Sequence, residues 1–90
     1  MTATEKCLLD NALDALDRLF DRDSLAIDVW ALLVATSEAL RATQHYSKLV
    51  RPTVELLAII RSNASPEAER DLALEVTDKL RHYLAGLPIN

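Results

Sequence analysis

Apolar residues return at helical intervals through most of this chain. Leu9, Leu13, Leu16 and Phe20 follow one another at spacings of four, three and four, with Leu8, Ala12 and Leu19 alongside, which predicts an amphipathic helix over residues 4–20 with that stripe in the core. The run DRDS then breaks the period, and Asp23 or Ser24 is placed to accept from the free amides of a second helix over residues 25–43. That helix, LAIDVWALLVATSEALRAT, is apolar over most of its circumference in its first half, the pattern of a central bundle member. Its small residues Ala31, Ala35, Ala39 and Ala42 predict a strip where another helix approaches closely, with Asp28 as the lone early charge.

Pro52 cannot donate a backbone hydrogen bond and pushes Arg51 out of helical geometry, so a third helix is expected from Pro52 to Arg61 or Ser62, a kinked start at Ser47 being the alternative. Its Val54, Leu56, Leu57, Ile59 and Ile60 point all round the axis, as in a helix that is sandwiched or lies at an interface. The fourth helix has the strongest boundary signals. Ser65 is its N-cap, Pro66 its first residue, and Glu67, Glu69 and Asp71 sit near the positive end of its dipole. Gly86 is expected in the left-handed position after the last turn, and Leu72, Val76, Leu80, Tyr83 and Leu84 on the inner face. No repeat, linker or low-complexity tract divides the sequence, so residues 1–90 are expected to form a single all-α domain, a compact antiparallel four-helix bundle.

Composition narrows this picture. A chain of 90 residues is near the lower limit for a fold without staples, burying only ~60–65% of its unfolded surface, and a 50% apolar content compensates. Cys7 is the sole cysteine, so no internal disulfide can form; it is expected to be a small buried hydrophobe. The opening MTATEKCLLDNALD lacks a basic stretch followed by an apolar core, and the longest apolar-rich run, residues 29–35, is far short of the ~20 residues that span a bilayer. A soluble, cytoplasmic protein is the expectation.

Charge carries the main functional signal. The net charge of −4 is confined to residues 1–28, which hold seven acids and three bases, while the remainder holds seven of each. At about 100° per residue, Asp10, Asp14, Asp17 and Asp21 fall within an arc of roughly 60° on the first helix, beside the Leu13 edge of the apolar stripe. Acids so spaced repel by a few tenths of a kcal/mol per pair, and Asp is a poor helix former, so stability alone does not select such a ridge. It reads either as a solvated face that keeps a half-apolar protein soluble or as a docking ridge for a Lys/Arg-rich protein, and it disfavours direct contact with nucleic acid or anionic lipid. A second row, Glu67, Asp71, Glu75 and Asp78, recurs on the fourth helix, partly neutralised by Lys79 and His82.

Trp30 shares an arc with Val34, Ser37 and Arg41, so besides anchoring the core it is a candidate interface residue together with Asp28. Tyr46 and Tyr83 read as core-edge residues with hydrated hydroxyls. His45 and His82 have no metal-ligand spacing with Cys7 or a carboxylate, Cys7 has no identifiable base, and one Gly cannot build a phosphate loop. No catalytic residue, metal or cofactor is therefore expected, and the reading is a non-enzymatic binding protein.

Two family resemblances bear on function. Asp23-Ser24-Leu25 followed by AIDVWALLVATSEAL is similar to the attachment site of acyl carrier proteins, which implies phosphopantetheine on Ser24; the chain departs from that pattern in having Arg22 where a Gly is usual, and almost no loop before the serine. In size, helicity, acidity and the Asp ridge, the chain resembles the small immunity proteins of bacterial toxin systems. That resemblance implies a basic, nuclease-type toxin as partner, engaged by Asp10, Asp14, Asp17, Asp21, Asp28 and Trp30. A structural homo-oligomer using the all-round apolar third helix is a further alternative.

Overall fold

The computed structural model describes residues 1–88. Among them are four helices and no strand: α1 (Ala3–Phe20), α2 (Ala26–Ala39), α3 (Tyr46–Ile60) and α4 (Pro66–Ala85). They form the expected antiparallel bundle, each helix beside its sequence neighbours and α4 closing the ring against α1. α2 also meets α4 across the middle, whereas α1 and α3 stay diagonal. Fully buried leucines from every helix meet inside, among them Leu9, Leu16, Leu33, Leu49, Leu56, Leu80 and Leu84. Each such side chain stabilises the fold by about 1.5–3 kcal/mol.

α1 opens with a capping box: the Thr2 hydroxyl accepts from the Glu5 N–H, and the Glu5 carboxylate accepts from the Thr2 N–H. Its buried face is Leu9, Ala12, Ala15, Leu16 and Leu19, so the stripe lies further from Leu13 and Phe20 than their spacing suggests. Phe20 is 52% exposed. Cys7 is likewise exposed, because it sits on the outer side of that shifted stripe.

The chain leaves α1 through a Schellman motif. Asp23 N–H donates to the Arg18 carbonyl (2.8 Å), Arg22 N–H donates to the Leu19 carbonyl (3.3 Å), and Arg22 takes φ 67°. This closure uses the residues expected to cap α2. The N-cap is instead Leu25, with no side-chain hydrogen bond, and neither Asp23 nor Ser24 caps. α2 ends at Ala39, four residues early, because Thr43 captures the Leu40 carbonyl with both its N–H (2.9 Å) and its hydroxyl (2.8 Å). The strip of Ala31, Ala35, Ala39 and, past the helix end, Ala42 is exposed to solvent and not packed as the close-approach face expected.

α3 begins at Tyr46, even earlier than the alternative start, and Pro52 lies inside it. A mid-helix proline costs about 3 kcal/mol. Upstream of it, complete burial of Leu49 returns about 1.5–3 kcal/mol, and His45 adds a further anchor. His45 is only 2% exposed, and its Nδ1 lies 2.7 Å from the Tyr83 hydroxyl of α4. Tyr83 is thus bonded to protein rather than to water, and the α2–α3 loop is tied to the last turns of α4.

In α4 the Ser65 hydroxyl accepts from the Ala68 N–H and Pro66 is the first residue, as expected. The buried face is Ala73, Thr77, Leu80 and Leu84, with Thr77 donating its hydroxyl to the Ala73 carbonyl (2.7 Å). Leu72, expected inside, is exposed. Gly86 caps the helix in right-handed geometry, φ −85°, since its N–H simply continues to the His82 carbonyl (3.1 Å). The left-handed positions are Arg22 and Asn63.

Candidate functional site

The four ridge aspartates do share one side of α1, and the neighbouring helices alter their charge. Asp14 pairs with Arg18 on its own helix, Oδ2 to Nε 3.0 Å. Asp17 turns toward α4, where its Oδ1 accepts from Arg81 Nε at 2.8 Å. Among the described residues Asp10 and Asp21, the residue that caps the end of α1, form no ion pair, and the two lie 11 positions apart, about 16 Å at 1.5 Å per residue. The ridge is therefore two free carboxylates with a neutralised middle.

α4 clamps this end of α1 with two arginines. Arg70 Nη2 donates to the Phe20 carbonyl (2.6 Å), satisfying a C-terminal acceptor at the negative end of the α1 dipole. Its Nε is buried without a partner. The Arg81 guanidinium lies 4.4 Å from the Phe20 ring centroid while it holds Asp17. A basic seam therefore runs between the acidic row of α1 and that of α4, so the two rows are separated and do not merge. In the α4 row, Asp78 lies 3.4 Å from His82 Nδ1, while Glu67, Asp71 and Glu75 form no ion pair among the described residues.

A second set of unpaired acids lies where α1 passes into α2. Asp21 and Asp23 lie in the connection and Asp28 in the first turn of α2; all three are exposed and form no ion pair among the described residues. Arg22, exposed and with a left-handed backbone, separates the first two in the chain. Two large apolar side chains mark the ends of the same connection, Phe20 just before it and Leu25 as its last residue, the latter 68% exposed. Sequence reasoning missed both, because helical spacing placed Phe20 inside and gave Leu25 no role.

A shallow groove of about 360 Å³ adjoins this corner, between α1 and α2, bringing Asp14, Arg18, Ser24 and Asp28 together. Ser24 is half-buried there. The connection is five residues, Asp21 to Leu25, so the long loop of the carrier pattern is missing. Trp30 is half-buried against the core. Its expected companions are occupied: Ser37 is buried and donates to the Val34 carbonyl (3.0 Å), and Arg41 is bound by Glu38 at 2.8 and 3.0 Å, which raises the guanidinium pKa above its ordinary value.

The larger groove, about 520 Å³, lies between α3 and α4. Lys48, Arg51 and Lys79 line it with Glu55, Glu75 and Asp78, so it carries no net charge that would select an ion of either sign. Among the described residues no three His, Cys, Asp or Glu side chains are grouped to hold a metal ion, and no helix is long and apolar enough to cross a membrane. Comparison of the chain with protein-family models, with curated proteins and with solved structures gives no match.

Proposed function

We propose that this protein is a non-enzymatic binding module for a basic protein, of the kind an immunity protein presents to a nuclease-type toxin, and that it docks through the α1–α2 corner. One observation carries the reading: exposed Phe20 and Leu25 bracket Asp21 and Asp23 in the chain, Asp28 follows one turn later, and none of these three exposed acids forms an ion pair among the described residues. An apolar anchor among unpaired charges is the composition of an interface centre and its rim. Docking that buried both anchors would contribute about 1.5–3 kcal/mol for each, and the carboxylates would speed encounter with lysine and arginine side chains. On a nuclease, the same carboxylates would stand where substrate phosphates bind, so the partner would lose both access and electrostatic attraction.

Asp14 and Asp17 contribute less in this reading than their place on the ridge suggests, because Arg18 and Arg81 already hold them. The test is affinity capture from the native host, with the wild-type chain and an Asp21→Lys/Asp23→Lys/Asp28→Lys variant as baits. The wild type is expected to retain a partner with pI above about 9, the range of a strong basic footprint. The variant should lose it while keeping its helical circular dichroism. Retention of the same partner by the variant, or capture only of acidic proteins, would reject the reading.

A further inference from the structure

We infer that a second copy of the chain covers the α2–α3 side of the bundle, forming a two-fold dimer with both acidic sides outward. The inference is independent of the docking corner and rests on how charge is divided between the sides of the molecule. Ile27, Trp30 and Val34 recur at i, i+3 and i+7 on α2, and Val50, Val54 and Leu57 at i, i+4 and i+7 on the adjacent α3. Ile27 is 51% and Val54 63% exposed, and the other four are half-buried.

In a two-fold contact each residue near the axis meets its own copy, so a like charge there is opposed by itself. This side has none at its centre. Residues 29–37 of α2 and 56–60 of α3 contain no charged side chain. Two of the flanking charge pairs are self-neutralised, Glu38 with Arg41 and Arg51 with Glu55, and Asp28 and Arg61, unpaired among the described residues, lie at the ends of the face, away from its centre. Residues 24–64 as a whole sum to +1, whereas the flanking segments that contain α1 and α4 hold −5. A strongly basic or acidic partner finds nothing to select on such a face, while an identical copy meets it without repulsion.

Size permits such a contact: the molecule measures 39 × 23 × 18 Å, so a long side is large enough to hold the ~800 Å² per partner of a stable interface. With the α2–α3 sides together, the acidic sides are kept apart by two molecular thicknesses, beyond a Debye length of ~8 Å at physiological salt.

The test is sedimentation equilibrium of the purified chain over a wide concentration range, at low and high salt. A concentration-dependent dimer that persists at high salt is expected. Val54→Glu and, separately, Ile27→Glu should each weaken it at least tenfold without changing the circular dichroism, since both positions are exposed in the single chain. Asp10→Lys, on the opposite side, should leave it unchanged. A monomer at every concentration overturns the inference, as does a dimer that dissolves in salt or ignores both apolar-to-Glu variants.

Discussion

The α1–α4 and α2–α3 halves of the bundle share a buried leucine core but differ in what is added to it. Fourteen of the residues in α1 and α4 are charged, against five in α2 and α3. Across the first pair, buried leucines such as Leu9, Leu16, Leu80 and Leu84 are joined by polar and specific contacts: Arg81 on Asp17, Arg70 on the Phe20 carbonyl, and the Arg81–Phe20 stack. Across the second pair the work is done by burial, with Leu33, Leu49 and Leu56 sealed from solvent and even the loop between the helices turned inward through His45. A charged seam can fix register without contributing much stability, whereas an apolar seam stabilises strongly and leaves its outer face free of charge. The two outer faces are therefore suited to different neighbours.

Three substitutions sharpen this contrast. Leu49→Ala, in the apolar half, is expected to cost about 3 kcal/mol in urea unfolding, the usual toll of a leucine truncated in a closed core. Tyr83→Phe, which leaves His45 Nδ1 without its hydroxyl partner, should cost about 1–2 kcal/mol and speed hydrogen exchange in the α2–α3 loop. Arg81→Ala, in the charged half, should cost no more than about 1 kcal/mol, and high salt should shrink the difference, because the pair it breaks is partly exposed. An Arg81→Ala cost equal to that of Leu49→Ala would break the comparison outright.

The bundle itself was legible because its signal is distributed: many leucines at helical spacing outvote any one misplaced residue. Errors arose where a tertiary contact overrode a local rule. Pro52 marks a helix start in isolation, yet burial of Leu49 and His45 carries α3 past it to Tyr46. Gly86 looked like the left-handed residue, but α4 ends without needing one, and the strained position fell to Arg22 at a connection too short to close otherwise. The acidic site was half legible. The Asp14–Arg18 pair follows from spacing of i and i+4, but Asp17 and Arg81 are 64 residues apart, and only the packing of α4 on α1 reveals that they meet. The bracketing of the turn acids by Phe20 and Leu25 was hidden for the same reason, since exposure is a property of the assembled bundle.

Arg22 has a practical consequence. A left-handed backbone costs an L-residue with an unbranched Cβ ~1–2 kcal/mol, and at this position the arginine already bears it. A photoreactive or fluorescent amino acid can therefore stand there with little added conformational cost. Such a probe would sit between Asp21 and Asp23 and report directly on whatever molecule settles over that corner.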